Sequence, residues 1–377
     1  MKIAMIGARG IAAKYSGIET HLEELCPRLV ERGHEVVVYA RRYFTTRQDY
    51  RGVKIVALPT IRTKHIETLL HTLVATVHSL QSDADIVHYH AQGPAVFSLL
   101  PRLNRKVSVV TCHGLDWQRG KWGTFARWCL KGGELASVVF PNAVIVVSRS
   151  LHDYYTGRYG ATKVHYIPNG VRNAVPRLPT LLKSVGLEPN RYVLFVGRLT
   201  PEKGCHYLVE AYQNLDADMK LVIVGAPAYT DSYAQSLRES GNGKVLFLGT
   251  VFGDLLEELY SNAYLFVLPS LMEGLSISLL EAMSYGCCVL ASDIPQNAEV
   301  VGECGLLFKA GDASSLSHTI RRALAEPHAV RQLGNAAKQR VSLYYDWDSV
   351  VAKTEELYSY VLGNERDASL GMAEARE

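Results

Sequence analysis

Residues 192–211 read YVLFVGRLTPEKGCHYLVEA. An apolar run from Tyr192 ends at Gly197, a polar loop carries Arg198 and Lys203, and a helix is expected over 203–215. A run apolar at successive positions belongs to a strand covered on both faces, as in a parallel sheet. Strand, glycine-ended loop and helix make half of a βαβ unit. The rhythm continues downstream in MKLVIVG (219–225), KVLFLG (244–249), YLFVLPS (264–270) and CVLAS (288–292), with helices expected over 230–240, 253–262 and 275–285. Upstream, KIAMIG (2–7), HEVVVYA (34–40), VKIVALP (53–59), ADIVHYH (84–90), KVSVVTC (106–112) and NAVIVVS (142–148) read as strands. Helices over 18–32, 66–80 and 122–136 separate several of them.

The rhythm breaks over 165–192, where four prolines and no periodicity suggest an interdomain linker with a short helix. The expected architecture is therefore α/β, with two facing, doubly wound, Rossmann-like domains. The first domain is expected over 1–172 and the second over 173–343, with a crossover helix at 344–363 and a disordered tail at 364–377.

Composition agrees with this. The chain has 377 residues, 48% hydrophobic and 20% charged, which excludes disordered, collagen-like and disulfide-scaffold classes. No apolar run is long enough to span a bilayer, and Arg9 interrupts the short N-terminal one, so neither a transmembrane helix nor a signal peptide is expected. Seven cysteines without metal-like spacing suggest buried thiols in a reducing compartment, and hence the cytoplasm. The net charge of +3 conceals +11 over residues 1–172 and −8 over 173–377. The basic half is suited to an anionic partner such as phosphates or a membrane surface.

Four stretches carry candidate chemistry. In GARGIAAKYSGIE (7–19), glycines and the start of a helix either receive a phosphate or form a tight strand–helix turn. Arg198 and Lys203, in a loop at the C-terminal edge of a parallel sheet, suit a diphosphate, although such cations are often only solvated. In SLMEGLSISLLEAMSYGCCVLASDIP (270–295), Glu273 and Glu281 are eight residues apart. Carboxylates accept hydrogen bonds from sugar hydroxyls, and the amides of Gly274, Leu275, Ser276 and Ile277 open a helix toward negative charge. DWQRGKWGTFARWCLK (116–131) interleaves Trp117, Trp122, Phe125 and Trp128 with Arg119, Lys121, Arg127 and Lys131. That mixture suits a lipid interface or a polyprenyl-diphosphate acceptor, or else a core helix with a basic edge. No nucleic-acid-binding motif accompanies it. His113 ends a strand before Gly114 at the sheet edge where ligands bind. Cys112 beside it points to the other face of the strand, so the two do not make a nucleophilic pair. His88 and His90 share a strand face without an evident third ligand. The adjacent Cys287 and Cys288 read as small buried residues.

Glu-Gly-x6-Glu-Ala-Met (273–283), Gly-Arg-Leu-x-Pro-Glu-Lys-Gly (197–204) and Ile-Pro-Asn-Gly-Val (167–171) together resemble the family 4 glycosyltransferases of the GT-B fold. Residues 10–41 and 109–123 resemble the bacterial, rhamnosyltransferase-like branch that assembles surface polysaccharides, and the likeness runs to about Val361. The resemblance implies a retaining hexosyltransferase that moves a sugar from a nucleoside-diphosphate sugar to a hydroxyl of a glycan, in particular a lipid-linked one. It implies no cofactor and no metal, with the donor held against the second domain and the C-terminal helix packed back on the first. Arg198 and Lys203 match the diphosphate-binding cations, Glu273 the residue beside the transferred sugar, and Glu281 the ribose-binding glutamate. Gly17 matches the loop glycine that approaches the donor phosphates, and His113 the histidine that meets the sugar. Leu275-Ser276-Ile277 replace the family's usual aromatic with Gly or Pro, and Gly286-Cys287-Cys288-Val289 its usual Gly-x-Pro-Val. Two other readings stand beside this one. They are a nucleotide-sugar epimerase or hydrolase, and a non-catalytic sugar-nucleotide-binding subunit.

Overall fold

The computed structural model describes residues 1–374 except 13–15, 64–65, 119–122, 161, 214, 216–217, 228–230 and 242, and only the backbone of 125 and 366–374. The chain divides into two compact units. Unit 1 is Met1–Asn169 with Trp347–Glu377, and unit 2 is Gly170–Asp346.

Unit 1 contains strands β1 (Lys2–Ile6), β2 (Glu35–Arg41), β3 (Asp49–Tyr50), β4 (Val53–Leu58), β5 (Ile86–His90), β6 (Val107–Cys112), β7 (Ala143–Val146) and β8 (Val164–Tyr166). Their order is β3-β4-β2-β1-β5-β6-β7-β8, parallel except for the β3–β4 pair. Helices α1 (Gly17–Glu31), α2 (Glu67–Leu80), α3 (Leu99–Leu103), α4 (Thr124–Val139) and α5 (Arg149–Tyr159) connect them. The strands are apolar on both faces because helices cover both faces; β6 is buried at every residue.

Unit 2 contains β9 (Tyr192–Val196), β10 (Lys220–Val224), β11 (Val245–Gly249), β12 (Leu265–Leu268), β13 (Val289–Ser292) and β14 (Leu306–Phe308). Helices α6 (Cys205–Gln213), α7 (Asp231–Ser240), α8 (Asp254–Asn262), α9 (Ile277–Ser284), α10 (Pro295–Val301), α11 (Ala313–Ala325) and α12 (Pro327–Tyr344) complete it. The order β11-β10-β9-β12-β13-β14 is parallel throughout. It is the doubly wound order in which ligands bind beyond the strand ends where the winding reverses. Here that point lies between β9 and β12.

Several expectations change. Residues 164–166, placed partly in the linker, form an edge strand of unit 1, and α5, α10 and β14 were not anticipated. Between β14 and residue 345 the chain forms two helices, α11 and α12, broken at Glu326 before Pro327. The last helix, α13 (Trp347–Glu374), continues through most of the segment expected to be a disordered tail. Its Trp347, Val350, Val351, Leu357, Tyr358 and Val361 join Leu22, Leu25 and Leu29 of α1 and the β1, β2 and β5 side chains in one core.

Candidate active site

The loops after β9 and β12 are tied together at the winding reversal. Pro201–Lys203 is a single 3-10 turn, ended by Gly204 at φ +67°. A Cβ at Gly204 would lie 1.9 Å from the carbonyl oxygen of Pro269, so only glycine lets this turn press on the end of β12. The Leu271 amide donates to the Glu202 carbonyl at 2.9 Å. Beside that bond, Lys203 Nζ is 2.5 Å from Glu273 Oε1, and Ser270 Oγ donates to the same oxygen at 2.7 Å. The two charged side chains are 16% and 8% exposed, so their attraction is only partly screened. Arg198 leaves the end of β9 beside Gly197, whose carbonyl oxygen would lie 1.8 Å from a Cβ at Gly225. The structure thus joins Lys203 to Glu273 and adds Ser270, which the sequence did not single out.

Helix α9 starts at Ile277, capped by Ser276 Oγ accepting from the Leu279 amide at 3.4 Å. Gly274, Leu275 and Ser276 therefore precede the helix, and Glu281 lies about one turn inside it. The Leu275 side chain is buried. Glu281 is half-buried, and its Oε2 accepts from Tyr260 Oη at 2.9 Å. Tyr260 stacks on Tyr285 with the rings 7° from parallel. Burial raises the Tyr260 phenol well above its ordinary range and the Glu281 carboxylate adds to this, so Tyr260 stays a donor. Tyr260 carried no sequence signal, because it lies on a different helix. Glu281→Gln is expected to weaken nucleoside-diphosphate binding about ten- to a hundredfold, through loss of a charged acceptor worth about 1.5–3 kcal/mol. Tyr260→Phe should produce a smaller loss. Calorimetric titration checks both, and equal affinity in Glu281→Gln and wild type would remove Glu281 from the nucleotide site.

In unit 1, Gly17 is the first residue of α1 and is exposed. The buried carboxylate of Glu19 already occupies this helix start, accepting from the Arg9 amide at 3.1 Å and from Ser16 Oγ. It ties Arg9 and Ser16 to the start of α1, in the stretch that the sequence reads as either a phosphate site or a tight strand–helix turn, and the helix dipole favours a carboxylate there.

His113, half-buried after β6, belongs to a histidine cluster that the sequence reading missed. His90 Nδ1 is 3.1 Å from His113 Nε2, and His88 stacks on His90 with ring centroids 4.4 Å apart. The ring of His21 lies 5.2 Å from that of His113. His88 is held by Tyr358 Oη at 2.6 Å and Thr111 Oγ1 at 2.7 Å, and His21 by Asn169 Oδ1 at 3.0 Å. Burial lowers His21 to about 4 and His88 to about 3. It also takes His90 well below 6.5, with the neighbouring histidines adding to the effect. The Nε2 of His90 is buried without a partner. A buried N–H without an acceptor is rarer than an acceptor without a donor, so the His90 proton belongs on Nδ1, donated to His113. The alternation His88-Tyr89-His90 was the available signal. Among the described residues no group of acidic, histidine or cysteine side chains is arranged to hold a metal. Burial raises the Cys112 thiol to about 11, and its Sγ faces Ser137 Oγ at 3.6 Å. It is not paired with His113.

The aromatic–basic segment divides. Arg119, Lys121 and Trp122 lie outside the described residues. Trp117, expected at a lipid or acceptor surface, is instead anchored inward. Its Nε1 donates to Glu134 Oε2 at 2.5 Å, and Lys131 Nζ sits 4.8 Å from its ring centroid. Glu134 is 2% exposed and also accepts from Tyr154 and Tyr159, so it needs these donors to stay buried. Arg127, Trp128 and Lys131 are exposed on α4, with Trp128 73% exposed. Cys129 is exposed as well, against the expectation that the thiols are buried.

Two parallel-sheet α/β units, with a cation–carboxylate cluster at the winding reversal of the second, place the chain in the class of two-domain α/β proteins with a candidate ligand site at the strand ends. Residues 15–174 match the family described as Glycosyltransferase Family 4, and residues 180–340 match Glycosyl transferases group 1. An α-maltose-1-phosphate synthase of Mycolicibacterium smegmatis is 30% identical over 337 residues, 80% of this chain and 86% of that protein. The O-antigen chain mannosyltransferase B of Escherichia coli is 29% identical over 218 residues, 55% of this chain and 56% of that one. Among solved structures, Anabaena HepE in complex with UDP-glucose has a TM-score of 0.81 at 19% identity, over 96% of this chain and 100% of that one. The chain belongs to the family 4 glycosyltransferases of the GT-B fold.

Proposed function

We propose that the protein is a retaining, metal-independent glycosyltransferase. It would move a sugar from a nucleoside-diphosphate donor to a hydroxyl of a lipid-linked glycan, at the cytoplasmic face of the membrane, during assembly of a bacterial surface polysaccharide. The observation that carries this is the Lys203–Glu273–Ser270 cluster where the winding of unit 2 reverses. It sets a cation for a diphosphate beside a carboxylate for sugar hydroxyls. The UDP-glucose in the HepE complex and the O-antigen chain in the name of the Escherichia coli mannosyltransferase support this reading.

In the reaction the bond from the anomeric carbon to the phosphate oxygen breaks and its electron pair stays on the diphosphate. The acceptor oxygen bonds to the same face of the carbon, and its proton passes to the departing phosphate. Arg198 and Lys203 would stabilise that growing negative charge, Glu273 and His113 would orient the sugar, and Glu281 and Gly17 would hold the nucleotide.

The test is a panel of nucleoside diphosphates and their sugars, scored by thermal stabilisation. A stabilising donor is then incubated with and without glycan acceptors. Nucleoside diphosphate should be released only when an acceptor is present, and excess EDTA should leave the rate unchanged. Acceptor-independent release would favour a hydrolase, and conversion of the donor sugar an epimerase. Binding without turnover would favour a non-catalytic subunit, and EDTA inactivation reversed by magnesium would remove metal independence.

A further inference from the structure

Strands β5 and β6 pair so that His90 lies beside Thr111, and two residues further on His113 returns to the same face of the sheet. The end of β5 is held in a conformation that alanine rarely adopts. Ala91 has φ +81°, and its amide donates to the Thr111 carbonyl at 2.9 Å. Gly7 closes on the same strand end, where a Cβ would lie 2.4 Å from the His90 carbonyl oxygen. Backbone strain of this kind persists only where the surrounding structure over-determines it, and it gathers at functional sites. The side chain fixed here is His90, whose Nδ1 is 3.1 Å from His113 Nε2 and whose ring stacks on His88. His88 is in turn pinned at both ring nitrogens, by Tyr358 Oη and Thr111 Oγ1.

One proton decides what this arrangement can do. His90 is fully buried, and burial together with the neighbouring histidines keeps it neutral, so its ring carries a single proton. Its Nε2 is buried without a partner, which puts that proton on Nδ1, aimed at His113. Nε2 of His113 then accepts, its lone pair is engaged, and the proton of the His113 ring belongs on Nδ1. A proton added at His113 Nε2 would face the His90 N–H across 3.1 Å, donor against donor, unless His90 moved its own proton to the unpartnered Nε2. A general base needs a lone pair within reach of the proton it takes, and that of His113 is already in use.

We propose that His90 is a positioning residue that holds His113 in the Nδ1–H form, so that His113 meets the transferred sugar as a hydrogen-bond donor and does not take the proton of the acceptor hydroxyl. The sugar contact rests on the glycosyltransferase reading, and the tautomer does not. The donor sugar must then present an oxygen to His113, because an N–H desolvated without an acceptor forfeits its hydrogen bond to water. The acceptor's proton is left to the departing phosphate, as in the retaining reaction.

The test is NMR of the full chain with isotopically labelled histidine nitrogens, whose shifts report which ring nitrogen carries the proton. The His113 signal is assigned by its loss in His113→Gln. At neutral pH and without substrate, His90 and His113 should both read as Nδ1–H. His90→Asn sets an amide donor near the position of Nδ1 and should keep His113 in that form. His90→Leu removes the donor, and the Nε2–H form of His113 should then appear. With a donor and acceptor that react, His90→Leu should lower kcat about ten- to a hundredfold with a smaller change in donor KM, and His90→Asn should recover most of the loss. Stabilisation by nucleoside diphosphate, read on unit 2, should be equal in all variants. The inference is overturned if wild-type His113 reads as Nε2–H or as imidazolium, a result that holds even where His90→Leu does not fold. It is also overturned if His90→Leu leaves the His113 tautomer or kcat unchanged. Absence of sugar transfer in wild type would strike at the glycosyltransferase reading and with it the sugar contact, while the spectrum still decides the tautomer.

Discussion

Lys203→Ala and Arg198→Ala are each expected to lower the rate of sugar transfer by about 100- to 1,000-fold, with a smaller loss of donor affinity. The asymmetry follows from where charge develops. A bound diphosphate is already anionic, but its charge grows as the sugar departs, so a fixed cation counts for more in the transition state than in the ground state. Lys203 has a second consequence that Arg198 need not share. Its removal leaves Glu273, 8% exposed, without its ion pair and still bonded to Ser270, which costs about 1–3 kcal/mol of stability. Lys203→Ala should therefore melt earlier as well as turn over slowly, and adding Glu273→Gln should recover much of the melting temperature without recovering turnover. Glu273→Gln alone should leave nucleoside-diphosphate affinity near wild type and slow transfer. Steady-state kinetics against the donor, with melting curves alongside, decide this. Near-wild-type turnover in both alanine variants would remove the pair from the chemistry.

Acid should unfold unit 1 in a window set by its buried histidines. Folding holds His21 at about 4, His88 at about 3 and His90 well below 6.5, while in the unfolded chain each titrates near 6.5. Above about pH 6.5 the rings are neutral in both states and no stability is lost through them. As pH falls below that value the unfolded chain takes up protons that the folded cluster refuses. Stability then drops by about 1.4 kcal/mol per histidine per pH unit, until each ring protonates in place near its own folded value. Among the described residues, Asn169, Thr111, Tyr358, Trp347 and His113 face these rings, and none of these five is a carboxylate that would offset the charge. All four tryptophans, 117, 122, 128 and 347, belong to unit 1, so indole fluorescence follows that unit alone. Melting curves between pH 7.5 and 4.5 should show a steep fall, shallower in His21→Gln with His88→Gln even though that variant starts lower. An equal slope in variant and wild type would mean that the cluster does not hold its histidines neutral.

The sequence revealed the long central strands because strands covered on both faces are apolar at nearly every residue. It revealed their loops because glycine punctuates them. β3, β8 and β14 are two or three residues long, too short for any period to register. The members of the site were legible individually, but their pairing was not. Lys203 and Glu273 are seventy positions apart and meet because β12 lies next to β9, a fact of strand order that no local pattern carries. The partnership of Glu281 with Tyr260 depends on the packing of α8 against α9, and His88 finds its phenol at Tyr358, 270 positions along the chain. Trp117 misled for a related reason. A tryptophan among basic residues looks like a membrane anchor until the buried Glu134 that binds its indole is known.

The return of the chain to unit 1 through α13 gives the protein an order of assembly on the ribosome. Unit 2 is a continuous stretch, Gly170–Asp346, and can fold as soon as it emerges. Unit 1 begins first yet finishes last. Trp347 and Tyr358 fill its core, where Tyr358 holds His88 and Trp347 lies against His21, and they are synthesised only after the whole of unit 2. At about 5–20 residues per second this delay is on the order of ten to thirty seconds, during which the nascent first half presents an open apolar seam beside α1. A chaperone that shields that seam would be needed for unit 1 and dispensable for unit 2. A chain stopped at residue 346 would release a folded second unit tethered to an incomplete first.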